Sequence, residues 1–437
     1  MKDRRTKIIR QIILAGAVVY LFPPYSSAAP VTSNMWTLQR SISRAISIAP
    51  ELKIAQATVR SHRGDVERAG VWPNPSFGIR IQNDITQQKG QNGYTLDQFN
   101  LTQPLPLWRL RYQRRVAQQG MRAAQIGSIQ VRYNIEASTA KLFLALQVSH
   151  AKLRVAIQQT AFTHKLIDLL QGPAKASGIV RYVSQLEGSR LQLLNETAEQ
   201  NADTARNNYQ ESLHMFRDFL LLPPDETIRL PSIQPIATLK PLRRLLQQLN
   251  ADAVSLRQLR HQVQAGKAGV DLQRVRRFRD PVLMLIREKN VASNNQVFTF
   301  NGIMLSVSLP LWNQNHGNIE KAQAQVARTK AQIEAARRNL TLRLRQDYMR
   351  MQHLLAQSHH IEQDILPSAK QVLNNTKRNY AVGAVDTLVM IDAYNTYFNA
   401  RTHYLDLLFR GRQQSIDLSQ MLGQSALFND DVKRSLP

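Results

Sequence analysis

The stretch Gly302–Leu340, GIMLSVSLPLWNQNHGNIEKAQAQVARTKAQIEAARRNL, changes character at a Pro-Leu-Trp-Asn corner. Before the corner stand residues that suit a pleated, half-exposed strand; after it stand Ala, Gln, Glu, Arg and Lys, which favour helix. The corner Leu309-Pro310-Leu311-Trp312 has an earlier counterpart, Leu105-Pro106-Leu107-Trp108, with the tryptophans 204 positions apart (312 − 108). Asn74-Pro75-Ser76-Phe77 likewise answers to Asp280-Pro281-Val282-Leu283, offset by 206 (281 − 75), and Ser177-Gly178-Ile179-Val180 to Val382-Gly383-Ala384-Val385, offset by 205 (383 − 178). Three matches in one order at a nearly constant offset identify an internal repeat.

Both halves follow one plan, repeat one over about 36–225 and repeat two over about 242–424. A helical stretch, Trp36–Ala69 or Leu242–Arg277, runs to the Asn-Pro or Asp-Pro corner, where proline disfavours helix in the residue before it. Two strand-like runs follow, Ser76–Asp84 with Leu96–Leu107 and Pro281–Lys289 with Val297–Leu311, separated by Asn-, Gln- and Gly-rich segments of hairpin type. In the first run Phe77, Ile79 and Ile81 alternate with Ser76, Gly78, Arg80 and Gln82, so one face is apolar and the other polar. A membrane barrel strand and a half-buried soluble strand both read this way.

Each strand pair leads into a long helical run, Arg109–Gln171 and Trp312–Leu366, the second interrupted by Pro367. At about 1.5 Å per residue, such a run is a rod on the order of 90 Å long. Apolar positions such as Ile135, Leu142, Leu144, Leu146, Ile333, Leu340, Leu342 and Leu344 are sparse among charged and amide residues. A narrow apolar stripe of that kind points to coiled-coil packing.

The N-terminus has the three parts of an export signal: basic Lys2, Arg4, Arg5, Lys7 and Arg10, an apolar run Ile12–Phe22, then Pro23-Pro24 and small residues to Ala29. We expect residues 1–29 to be the signal peptide, cleaved after Ala28 or Ala29, and residues 30–437 to form the mature protein. The chain has no cysteine, so disulfides, thiolate metal sites and an acylated lipoprotein cysteine are excluded.

No later stretch is apolar enough for a transmembrane helix. The net charge of +26 suggests nucleic acid in general, but export and the absence of any recognition motif exclude it here. A basic surface toward anionic lipopolysaccharide and adaptation to an acidic exterior are two readings that composition does not separate.

Four strands do not close a membrane barrel in one chain, and lipid does not tolerate an open sheet edge. If these hairpins enter a membrane, several chains share one barrel and their helical rods continue it as a tube. The corner Trp72–Ser76, the strand end Ser306–Asn313 and its continuation Asn315–Ile319 resemble the TolC-type outer membrane efflux proteins, and the second motif is most similar to the CzcC-like heavy-metal branch. The resemblance spans essentially the whole mature chain.

It implies a mainly helical fold with a small β part: a homotrimer in which each chain gives four strands to a shared twelve-stranded barrel and several helices to a periplasmic α-barrel. It further implies outer-membrane lipid as surroundings, with a periplasmic adaptor and an inner-membrane pump of the resistance-nodulation-division class as partners. No cofactor and no catalysis are implied, and no P-loop or nucleophile pattern is present.

The family's pore tip carries Gly-x-x-x-x-x-Asp-x-x-Asp. Its match is Gly383–Asp392, in which Asp392 keeps the second acid and Val389 replaces the first. The other repeat offers Gly178 and, nine positions on, Glu187. Asp392, Val389 and Glu187 are therefore the candidates for the pore constriction, where a ring of acids attracts cations. Gly178 and Gly383 are the expected helix-hairpin turns. Asn74, Pro75, Trp108, Pro310, Trp312 and Gly317 mark the expected junction of barrel and tube, the tryptophans suiting a headgroup region.

His62, His164, His316, His403 and the pair His359-His360 lack ligand spacing and read as surface residues. The reading is a passive outer-membrane conduit for divalent metal cations. The same conduit serving drug efflux or type I secretion is one alternative, and a soluble periplasmic coiled-coil scaffold is another.

Overall fold

A computed structural model describes residues 35–83, 95–171, 185–291 and 296–426. The expected signal peptide, Gly178 and most of both hairpin loops lie outside these residues. The elements run α1 (Leu38–Ile48), α2 (Pro50–Ala69), β1 (Ser76–Asn83), β2 (Thr95–Pro104), α3 (Arg109–Gln171), α4 (Gln185–Leu220), α5 (Leu242–Asp252), α6 (Val254–Val275), β3 (Val282–Val291), β4 (Val297–Ser306), α7 (His316–His360), α8 (Leu366–Ala381) and α9 (Thr387–Met421). The repeat is visible throughout: α1 and α5 both have 11 residues, and α4 and α9 have 36 and 35.

The four strands form one antiparallel meander in the order β1-β2-β3-β4. Ser76 faces Thr102, Leu96 faces Asn290 and Val282 faces Ser306, so partners always share parity and the odd-numbered residues of all four strands lie on one face. Phe77, Leu101, Leu285 and Ile303 form an apolar row across that face, and the Phe77 and Phe99 rings stack at 6.3 Å. The even face of the first hairpin is polar, with Ser76, Thr102, Asn100, Arg80 and Gln98. The second hairpin alternates less cleanly, since its even face carries Met284, Met304, Ile286 and Phe300.

Strands β2 and β4 end earlier than expected, at Pro104 and Ser306 instead of Leu107 and Leu311. The cause is loss of partners, because β3 starts only at Val282, after Pro281. Residues Val307, Leu309 and Leu311 keep the odd-numbered apolar alternation and are exposed.

Neighbouring helices repeat the strand order: α2 packs on α3, α3 on α6 and α6 on α7. Farther from the sheet, α4 lies along α3, α8 along α9, and α9 bridges α3 and α7. Helix α3 covers the expected Arg109–Gln171 as one rod of 63 residues, about 94 Å long at 1.5 Å per residue.

The expected stretches Trp36–Ala69 and Leu242–Arg277 are each broken by one extended residue, Ala49 with ψ 116° and Ala253 with ψ 117°. Pro50 explains the first break through its clash with a helical predecessor. The second has Val254 in that place, so there the break is held by packing, with Ala253 buried.

The run expected to stop at Pro367 does not stop. A π turn, Ile361–Ile365, lies just before the proline, and the helix resumes as α8. The wider i→i+5 turn makes room for a ring that would otherwise collide with the preceding turn.

Two equivalent cores hold the middle of the molecule. In repeat one Trp36, Ala45, Phe143, Leu146, Phe216 and Leu220 meet, with Trp36 edge-on to Phe216 at 6.1 Å. In repeat two Leu245, Leu249, Leu344, Met351, Leu418 and Leu422 meet. The connection 222–241 ties them together, since Ile228 and Leu230 pack on the first core and Ile233, Ile236 and Leu239 on the second. Its backbone is pinned by Gln147 Nε2, which donates to the Pro231 carbonyl at 3.0 Å.

Ile236 sits against the bare backbone of Gly411 in α9, where any β-carbon would overlap it. Gly411→Val is expected to lift this connection off α9 at a cost of about 1–3 kcal/mol. Limited proteolysis should then cut within residues 222–241 faster than in the parent, and the thermal midpoint should fall.

Candidate functional site

Two regions carry the candidate residues, the junction of sheet and helices and the far end of the rods. At the junction Asn74 and Pro75 occupy the linker between α2 and β1. The Gln103 amide closes that linker by donating to the carbonyls of Pro73 (3.0 Å) and Pro104 (2.8 Å). The two repeats are joined here, because the Leu105 N–H donates to the Pro281 carbonyl at 2.7 Å and the Arg109 guanidinium pairs with Asp280. Trp108 lies in the turn entering α3, and Trp312 follows Pro310 on the way to α7. Both tryptophans are exposed, Trp312 at 93%.

Gly317, expected as a junction residue, lies inside the first turn of α7, and a β-carbon there would meet nothing. The left-handed residue that turns the chain into α7 is Asn315, with φ 62°. Its amide donates to the Gln273 carbonyl at 2.7 Å and its side-chain oxygen accepts from Asn318 at 2.6 Å. Asn is the side chain best able to hold this backbone while bonding locally.

At the far end, Gly383 ends α8 in the left-handed region, φ 75°. Its N–H bonds the Tyr380 carbonyl and that of Ala384 bonds the Asn379 carbonyl, the two bonds of a Schellman cap. Asp386 then caps α9, its Oδ1 accepting from the Val389 N–H at 2.9 Å.

The next residue links the two repeats. Thr387, almost fully buried, donates its hydroxyl to Glu187 Oε1 at 3.1 Å and accepts from the buried Tyr380 phenol at 3.2 Å. Glu187, half-buried in the first turn of α4, is thus level with Thr387. Asp392 lies five residues farther along α9, about 7.5 Å along its axis, and is exposed. The two acids, equivalent by count from Gly178 and Gly383, stand at different levels of the tube. Val389 and Leu388 are exposed between them.

Behind this end lies an aromatic cluster in which Tyr394 stands 4.7 Å from Phe398 and 5.4 Å from Phe162. The Tyr394 hydroxyl has no partner, and burial pushes its ionisation well above the ordinary tyrosine range. Burial also raises the Tyr404 phenol, reinforced by its hydrogen bond to Glu362 in the π turn. Among the described residues no three His, Asp or Glu side chains converge as a metal site. His164 and His360 instead face single carboxylates, Glu199 at 3.1 Å and Asp364 at 2.8 Å.

Several known proteins are similar to this chain in sequence or in fold. Residues 245–424, essentially the whole of repeat two, match the family model described as Outer membrane efflux protein. The match covers 180 of the 437 residues (424 − 245 + 1), so repeat two is similar to this family.

The cobalt-zinc-cadmium resistance protein CzcC of Cupriavidus metallidurans is 22% identical over 408 residues, covering 92% of each chain. The nickel-cobalt-cadmium resistance protein NccC of Alcaligenes xylosoxydans xylosoxydans is 19% identical over 68% of this chain and 66% of its own. The fold matches the outer membrane protein VceC of Vibrio cholerae with a TM-score of 0.67 at 19% identity, over 89% of this chain and 96% of that one.

Asp386→Ala removes the carboxylate that caps α9. The first turn of that helix should lose about 0.5–2 kcal/mol of local stability. Amide exchange at Val389 and Met390 should accelerate accordingly, while exchange at the α3–α9 contact near Phe398 stays unchanged.

Proposed function

We propose that this protein is the outer-membrane conduit of a divalent metal cation exporter. The observation that carries the reading is that both sequence relatives named above are metal resistance proteins and that one of them aligns over 92% of either chain. The solved structures similar to it support the architecture and leave the cargo to the sequence relatives.

The working unit is a homotrimer in which the unpaired edges of β1 and β4 meet neighbouring copies to close twelve strands. A periplasmic adaptor and an inner-membrane pump of the resistance-nodulation-division class supply the cargo and the energy. In the mature protein, residues 30–437 form one protomer, with the two repeats as its halves.

The passage narrows where α8 turns into α9. Asp392 supplies a ring of three carboxylates that draws cations in, and Val389 with Leu388 supplies an apolar step beside it. Glu187 works differently from Asp392: its contact with Thr387, whose hydroxyl also meets the Tyr380 phenol, clasps α4 to the α8–α9 hairpin and so holds the end in one arrangement. The junction residues Asn74, Pro75, Trp108, Pro310 and Trp312 set the level at which strand becomes rod.

Cobalt and cadmium appear in the names of both relatives, so they are the first ions to test. Deleting the gene should raise sensitivity to cobalt and cadmium, and restoring it should reverse the effect; sensitivity confined to organic drugs contradicts the metal reading. In a planar bilayer, Asp392→Asn should lower cation over anion selectivity several-fold by removing the acidic ring. Unchanged conductance and selectivity would remove Asp392 from the passage.

A further inference from the structure

The charge of +26 has no role in the conduit just described, but part of it is concentrated at one level of the molecule. The three segments nearest the base of the sheet, 65–72, 105–115 and 271–281, hold nine arginines against four acids. Arg68, Arg109 and Arg274 are paired with Asp65, Asp280 and Asp271. Arg111, Arg114, Arg115, Arg276, Arg277 and Arg279 are exposed, and none has a carboxylate partner among the described residues.

All six lie within about three helical turns of the first or last paired strand residue. Two lie over aromatic rings, Arg277 over Phe278 at 4.7 Å and Arg111 over Tyr112 at 4.8 Å. This arrangement steadies each guanidinium along an aromatic ring, with one Arg111 donor used on the Tyr112 hydroxyl at 3.1 Å.

The same level holds three of the four tryptophans. Trp72, Trp108 and Trp312 are 48%, 43% and 93% exposed, whereas Trp36 is in the core at 3%. Val71, Leu107, Phe278 and Leu311 are exposed beside them. An exposed tryptophan belt marks the boundary of hydrocarbon and water. Arg111, Arg114 and Arg115 follow Trp108 on the side of the rods, and Arg276, Arg277 and Arg279 stand level with the belt, three to six residues before β3. Guanidinium groups match phosphate in charge and fork geometry.

We propose that these six arginines form a collar that binds the phosphates of anionic phospholipid headgroups in the membrane leaflet facing the periplasm, fixing the depth of the barrel. The inference rests on the sheet entering the outer membrane.

The test uses the full mature chain in vesicles of phosphatidylethanolamine containing brominated phosphatidylglycerol or, at equal mole fraction, brominated phosphatidylethanolamine. Trp72, Trp108 and Trp312 report lipid contact by quenching, and Trp36 serves as the shielded control. Anionic lipid should be enriched at the belt by about fivefold or more, the factor that one surface arginine supplies at an anionic leaflet. The enrichment should weaken at high salt.

The variant R111Q/R114Q/R115Q/R276Q/R277Q/R279Q should lose the preference, and its all-lysine counterpart should retain most of it. Equal quenching by the two brominated lipids in the parent chain overturns the collar, and this comparison decides even if the glutamine variant does not fold. Abolition of the preference by free inorganic phosphate would mean a phosphate site instead of a lipid one. A glutamine variant that keeps the lipid preference but changes anion permeability would place the arginines in the lumen, again overturning the proposal. Absence of quenching by either lipid would show that the sheet does not insert, which defeats the conduit reading itself.

Discussion

On the conduit reading proposed above the sheet lies in hydrocarbon, where no water satisfies its edges, and this constraint governs the rest of the molecule. The meander pairs β1 with β2, β2 with β3 and β3 with β4, which leaves the outer sides of β1 and β4 for other copies. The helices obey the same geometry. Because α2, α3, α6 and α7 follow the strand order, the angle at which one protomer meets the next in the barrel also sets where its rods meet. Errors at the sheet base would be carried along about 90 Å of rod. This accounts for the density of fixing contacts there: Gln103 on the linker, Leu105 on Pro281, Arg109 on Asp280 and Asn315 on Gln273.

The far end is built on a different principle. The junction joins the repeats by backbone and ionic contacts, whereas the tip joins them by the Thr387 hydroxyl at Glu187 and by an apolar cluster that includes Leu166, Leu191, Tyr380 and Met390. A hydrogen bond to a charged group contributes about 1.5–3 kcal/mol net, and the packed cluster beside it adds apolar burial.

Much of this was legible in the sequence, for identifiable reasons. The strand-to-helix corners at Trp108 and Trp312 carry proline and a switch of period from two to a helical one, and both signals are local. Helix α3 was readable to its ends because no proline interrupts it and its two glycines, Gly120 and Gly127, are outweighed by strong helix formers. Asp280 was visible only as the residue of an Asp-Pro corner; its partner Arg109 is 171 positions away, and no local pattern connects them.

The break at Ala253 was hidden because it lacks the proline that announces its twin at Ala49. Glu187 was matched to Asp392 by counting from a glycine, but counting takes no account of how far each helix is rotated and shifted against its neighbours. The left-handed turn that follows α9 falls on Gly423, φ 70°, while its counterpart after α4 falls on Leu221, φ 48°, where a β-carbon is sterically disfavoured and no sequence signal marks the turn.

The π turn before Pro367 shows how a duplicated tube tolerates unequal copies. One residue added to an α-helix rotates everything beyond it by about 100°, which would turn an interface toward solvent. A π turn takes up an extra residue within one widened loop of backbone, and the helix beyond continues almost in phase. The second rod can therefore differ in length from the first and still present Leu373, Tyr380 and Met390 to the shared interior. Single-residue insertions at Ile361–Ile365 are the kind of change through which such a tube can drift in sequence while the ring it helps to form keeps its circumference.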